Sequence, residues 1–191
     1  MLNKLSARIE QIATGRLLLL LMLFILLGVA VVSSFSPSAE LKALANGLDI
    51  PDAQLWRSAD GFYQQLEAYG EHGRFLYLTR ISPVDIFIPL TQALLLSVAI
   101  TLVYRHAFAL DSRWQLLNTI PFVTLVADYL ENGSMIALML AYPTRLDALA
   151  IAASLFTAVK IIVSMVSLLL ILIGIIVLIW KRSVRRLPNN K

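Results

Sequence analysis

Four apolar stretches constrain this chain more than any other feature. Leu17 to about Phe35, Pro83 to about Tyr104, Trp114 to about Tyr142 and Ala148 to Trp180 are each long enough to cross a membrane as a helix. Crossing a hydrocarbon layer of about 30 Å takes about 20 helical residues. Backbone amides find no water inside lipid, so such stretches fold as helices that satisfy their own hydrogen bonds. Of 191 residues, 59% are hydrophobic and only 15% charged, which is more apolar surface than a soluble domain of this size can hide. The expectation is an all-α membrane protein, a four-transmembrane-helix bundle forming one domain over residues 1–191.

Lys4, Arg8 and Arg16 precede the first stretch, the order found in secretory signals. The run from Leu17 to Val32 is long for a signal, and Pro37 spoils the small-residue cleavage pattern, so a retained anchor is expected. Basic residues then set the orientation. With the N-terminus inside, the inner segments hold Lys4, Arg8, Arg16, Arg105, Arg113, Lys181, Arg182, Arg185, Arg186 and Lys191. The outer segments hold only Lys42, Arg57, Arg74, Arg80 and Arg145, and the acids Glu40, Asp49, Asp52, Asp60, Glu67, Glu71 and Asp147 also fall outside. This bias predicts a multi-pass protein of the plasma (inner) membrane with both termini, including the tail 181–191, in the cytoplasm.

The outer segment from about Ser36 to Ser82 is long enough for structure of its own. Pro51 and Asp52 suit a helix start, and Phe62, Leu66 and Tyr69 recur at helical spacing before Gly70 and Gly73 end the run. One or two short amphipathic helices are expected there, on the outer membrane surface or over the bundle mouth. Phe75, Tyr77 and Arg80 lead the chain back into the membrane.

Several chemistries are disfavoured. The net charge is +4, but the basic residues sit at membrane edges rather than in a stripe, so no nucleic acid is expected as a partner. The absence of cysteine removes disulfides, thiolate metal sites and cysteine nucleophiles together. His72 and His106 fall on opposite sides of the membrane and cannot share a metal. No GxSxG elbow, HExxH helix or phosphate-binding glycine loop occurs. No metal and no cofactor are expected.

What remains is a set of polar residues inside the apolar stretches. A charge in hydrocarbon costs about 2.5 kcal/mol or more on insertion scales, so Asp85, Asp128, Glu131 and Lys160 each need a reason. At about 1.5 Å per residue, Asp85, Glu131 and Lys160 all arrive about 27 to 30 Å from their inner anchors, with Asp128 about one turn deeper. Three helices thus bring ionisable groups to one level. The faces agree: Asn118, Pro121, Thr124, Asp128, Glu131 and Met135 share one side of the third helix, and Ser154, Thr157, Lys160, Ser164 and Ser167 one side of the fourth. Gly133, Ala137 and Ala141, with Ala150, Ser154 and Ala158, offer small-residue seams for close helix packing. Asp128 and Glu131, about 5 to 6 Å apart at Cβ, resist double ionisation, whereas Lys160 opposite them holds at least one ionised. The expectation is an ion pair from Lys160 to one acid, with the second acid protonated or hydrogen-bonded through Asn132. Metal binding by the two acids fits their ligand type, but the nearby lysine argues against it.

Each residue also has a plainer role. Ser82 and Pro83 look like a helix N-cap and first turn, in which Asp85 complements the helix dipole. Lys160 competes between snorkelling and internal pairing. Gln92 and Thr91 lie one turn into the second helix, within reach of the cluster, and the whole set also fits a structural network that fixes helix register. Pro89 and Pro121 locally open their helices.

The segment GEHGRFLYL (70–78) followed by a proline-bounded Asp85, the DYLEN stretch (128–132) and the single lysine of the fourth helix resemble a group of small, uncharacterised bacterial four-helix integral membrane proteins. That resemblance covers most of the chain and implies that Asp128, Glu131, Asn132 and Lys160 act together. The buried acids and asparagine are also similar to those of the sterol-isomerase and related four-helix proteins, although no histidine or tryptophan accompanies them here.

The leading expectation is an outward-facing polar pocket, built from Asp85, Gln92, Asp128, Glu131, Asn132, Thr157, Lys160 and Ser164, that binds a lipid, an amphipathic molecule or a partner protein's helix under a lid of outer helices. The first rival is an enzyme acting on an outer-leaflet lipid or isoprenoid, with Asp128 or Glu131 as general acid or base and Lys160 on an anionic head group. The second is a proton-coupled transporter subunit using the carboxylates as a relay, which four helices alone rarely enclose, so that it calls for a homo-oligomer.

Overall fold

The computed structural model describes residues 2–35, 37–48 and 54–185, the side chains of 31–35 and 185 excepted. Among the described residues the chain is helical and without strands. Its helices are α1 (Leu2–Ile12), α2 (Gly15–Phe35), α3 (Ser38–Leu44), α4 (Ala59–Leu76), α5 (Phe87–Ala107), α6 (Pro121–Ala141) and α7 (Asp147–Arg185). The expected helix start at Pro51 and Asp52, the acids Asp49 and Asp52, and the tail beyond 185 lie outside the described residues.

Three helical stretches are long and apolar enough to cross a membrane: Val84–Ala107, Arg113–Ala141 and Asp147–Val184. A fourth follows if the bent pair α1 and α2 counts as one span. α7 has 39 residues, so at about 1.5 Å per residue it reaches about 58 Å and extends well past a hydrocarbon layer. It is coated with exposed Ile162, Met165, Leu168, Leu172 and Ile176, side chains that water would not tolerate in so dense an array.

α6 packs along α7, α5 lies against both, and α2 packs on α5. α5 and α7 approach closely at Gly174, where a Cβ would come within 2.5 Å of Val103 and 2.7 Å of the Tyr104 ring. Tyr104 in turn donates to the Leu170 carbonyl at 3.0 Å. The small-residue seam expected on α6 is corrected. Gly133 and Ala137 are exposed and Gly133 has open space around it, because the buried face of α6 is set by Ser134, Met135 and Leu138 instead. The α7 half of that seam holds, with Ala150 and Ser154 buried.

The amphipathic α1 meets α2 at 94°. Thr14 caps the start of α2, its hydroxyl accepting from Leu17 N at 3.1 Å. Ser6 and Ile9 of α1 are buried, and the Arg105 guanidinium donates to the Ala13 carbonyl at 3.1 Å, tying the bend to the end of α5. The spacing Leu2, Leu5, Ile9, Ile12 carries this helix in the sequence.

At the opposite end of the molecule, α3 and α4 pack onto the long helices. Ser58 caps α4 by accepting from Gly61 N at 3.1 Å, and Phe62, Leu66 and Tyr69 bury against a cluster that includes Leu41, Met135, Leu138 and Ala153. The expected stop at Gly70 and Gly73 is a kink. Gly70 takes φ 60°, ψ −169°, which glycine adopts at little cost, and the helix resumes to Leu76 with Gly73 buried. A π-turn over Tyr77–Ile81 and a 3-10 turn over Val84–Ile86 then lead into α5. Ser82 is no N-cap: its backbone is helical, and its hydroxyl donates to the Tyr77 carbonyl at 3.3 Å. The third stretch starts likewise as a 3-10 turn, Arg113–Thr119, before Pro121 opens α6.

Candidate functional site

The stripe on the third stretch faces inward. Asn118, Thr124, Asp128, Glu131 and Met135 are all buried, Glu131 at 0% exposure. From α7, Ser154, Thr157 and Ser167 are buried as well, with Lys160 and Ser164 half-buried between them. Where the two stripes meet, Lys160 Nζ pairs with Glu131 Oε2 and lies 3.5 Å from Asp128 Oδ2. Thr157 Oγ1 donates to the other oxygen, Glu131 Oε1, at 2.6 Å, and also lies 3.0 Å from the carbonyl of Ala153. Burying an unpaired carboxylate is costly, and this one has a cation on one oxygen and a hydroxyl on the other.

Asn132 joins the second acid to the turn that leads into α5. Its amide donates to Asp128 Oδ1 at 2.9 Å and to the Asp85 carbonyl at 3.3 Å. Next to it, the Tyr129 hydroxyl donates to the Ile86 carbonyl at 2.8 Å. Two backbone carbonyls at the turn into α5, those of Asp85 and Ile86, thus accept from side chains of α6. The DYLEN stretch therefore fastens α6 to α7 through Asp128 and Glu131, and to the start of α5 through Tyr129 and Asn132.

Of the residues expected together, Asp128, Glu131, Asn132, Thr157 and Lys160 form one connected set. Asp85 joins it through its backbone carbonyl, with one carboxylate oxygen buried. No hydrogen bond or ion pair connects the half-buried Gln92 or Ser164 to the set among the described residues. Thr91 bonds back to the Phe87 carbonyl of its own helix at 2.9 Å.

Two features extend the site along the helices in either direction. Arg57, counted above only as an outer charge, is buried at 6% exposure, with its guanidinium 5.2 Å over the Phe62 ring. Its carbonyl accepts from Ser154 Oγ at 2.9 Å, one turn of α7 before Thr157. A lone arginine in an irregular segment carries no periodicity that would announce this. In the other direction, Asn118 donates to Thr101 at 3.0 Å, and the buried Ser97 Oγ and Thr124 Oγ1 have no hydrogen-bond partner among the described residues.

A groove of about 540 Å³ opens on the flank of the set, between the turn at Ser82–Ile86 and α6. Leu78, Ile86 and Ile136 make its walls apolar, whereas Asp85, Tyr129 and Asn132 supply polar atoms. Asn132 belongs both to this groove and to the connected set behind it. Over the α4–α7 corner, the Tyr63 hydroxyl accepts from Leu146 N at 2.5 Å, and Arg145 bonds Asp60 at 2.5 Å and Asp147 at 3.0 Å. Those two carboxylates raise the Arg145 guanidinium above its already high ordinary value. Among the described residues no three His, Cys, Asp or Glu side chains converge as a metal would require.

No family model, no curated protein and no solved structure matches this chain, so its functional reading rests on the geometry of this site.

Proposed function

We propose that this chain is a four-span membrane protein, termini in the cytoplasm, whose lateral groove binds an amphipathic lipid-like molecule near the outer face. The observation that carries this reading is the double membership of Asn132, which lines an apolar-walled groove while its amide is held by Asp128 and the Asp85 carbonyl. Ligand sites combine apolar walls with a few fixed polar groups, and this groove has that composition. With both amide hydrogens used, Asn132 offers its carbonyl oxygen, and Asp85 lines the same groove. Lys160 is bracketed by Glu131 and Asp128, so it is poorly placed to bind an anionic head group. The groove therefore favours a head group that donates hydrogen bonds, such as a hydroxyl or an amine. α4, packed over the ends of α6 and α7, serves as a roof rather than a loose lid.

Native mass spectrometry of the purified protein tests this reading. An amphipathic molecule should accompany the wild type and be lost from Asn132→Leu; identical ligand content in both would remove the proposal.

Proton-coupled transport is a second reading, favoured by one observation. The buried Ser97 and Thr124 hydroxyls lie between the Thr101–Asn118 pair and Asp128, and continue the polar stripe toward the other end of the helices. Proton uptake into proteoliposomes that is lost in Asp128→Asn would support it, and uptake equal to empty vesicles would dismiss it.

A further inference from the structure

The end of the molecule that carries α1 has a second recess. α5 stops at Ala107, and Phe108 leaves the helix in extended backbone, so the last carbonyls of α5 need outside donors. Lys181 of α7 supplies one, its Nζ donating to the Ala107 carbonyl at 2.6 Å. An ammonium has three hydrogens, so two remain for another acceptor. Beside this contact a cleft of about 270 Å³ lies between the two helices, lined by His106, Leu178, Lys181 and Arg182. Its lining holds three basic side chains and no carboxylate. His106 and Arg182 are exposed, and neither enters a hydrogen bond or ion pair among the described residues.

We propose that His106, Lys181 and Arg182 form a phosphate site for an anionic phospholipid whose acyl chains run along Leu178 and the neighbouring face of α7. Basic recesses between membrane helices attract such head groups. The choice of a lipid over a soluble anion rests on what adjoins the cleft: Leu178 lines it, and Ile175, Ile179 and Trp180 stand exposed on the same stretch of α7. Exposed tryptophan beside basic residues is the pattern of a membrane–water boundary. This site is independent of the groove at Asn132, which lies at the opposite end of α5.

The test uses the full chain in nanodiscs of equimolar phosphatidylcholine and phosphatidylglycerol, with retained lipids counted by native mass spectrometry. The wild type should retain phosphatidylglycerol preferentially, and Arg182→Gln should lower that preference about five-fold, the share of one basic residue at a charged surface. His106→Gln combined with Arg182→Gln should lower it further. Because both side chains are exposed, both variants should remain folded. Excess inorganic phosphate should leave the retained lipid in place. Equal retention of the two lipids by the wild type, an unchanged preference in the double variant, or full displacement by inorganic phosphate would each overturn the assignment.

Discussion

Thr157 donates to Glu131 at 2.6 Å from the turn of α7 that directly precedes Lys160, so adjacent turns of one helix hold both oxygens of a fully buried carboxylate. A hydrogen bond to a charged group contributes about 1.5 to 3 kcal/mol. Thr157→Val keeps the shape and removes the hydroxyl. It should lower stability by about 2 kcal/mol, measured by reversible unfolding in mixed micelles, and a loss below about 0.5 kcal/mol would show that Glu131 does not depend on it.

Lys160 and Glu131 should behave as a coupled pair. Lys160→Met leaves the Glu131 charge buried without its cation and should cost about 3 to 5 kcal/mol. Glu131→Gln combined with Lys160→Met should cost clearly less than the two single losses added together. Strict additivity in the same unfolding measurement would mean that the two charges do not interact energetically.

Glycine supplies a paired test of helix packing. Gly174→Ala forces a methyl within 2.5 Å of Val103, and overpacking of this kind costs about 1 to 3 kcal/mol. Gly133→Ala meets nothing within 4 Å and should fall within about 0.5 kcal/mol of the wild type. Reversed sensitivities would mean that α6, rather than α7, makes the close helix contact.

The roof over the loop end depends on Tyr63, whose hydroxyl accepts from Leu146 N at 2.5 Å while the ring carries Arg145 at 4.8 Å. Tyr63→Phe keeps the ring and should cost about 1 kcal/mol, with faster amide exchange at Leu146. Unchanged exchange there would show that the turn before α7 holds itself.

The meeting of Lys160 with Glu131 and Asp128 was open to sequence reasoning, because ionisable residues are expensive in apolar helices and their periods of three and four place them on faces. Depth from the helical rise then brought three stretches to one level. Other features depend on tertiary contacts that no periodicity encodes. Ser82 resembles an N-cap before a proline, yet the π-turn preceding it supplies a carbonyl that its hydroxyl bonds instead. Gly133, Ala137 and Ala141 have the spacing of a packing seam, but the larger Met135 and Leu138 take the buried face because α4 needs an apolar floor there. Arg57 and Gln92 also depart from their expected surroundings. A charge in an irregular segment can fold back over an aromatic ring, and an amide near a cluster need not turn toward it.

Ligand retention at the groove tests the proposed function most directly. Wild type, Asn132→Leu and Asp85→Asn would be purified identically, and their bound amphipathic molecules compared by native mass spectrometry. A specific molecule with a hydroxyl or amine head group is expected on the wild type, reduced about ten-fold or more in Asn132→Leu and weakened in Asp85→Asn. The same occupancy in all three proteins, or a molecule lost from Asn132→Leu whose head group is purely anionic, would contradict the assignment of this groove.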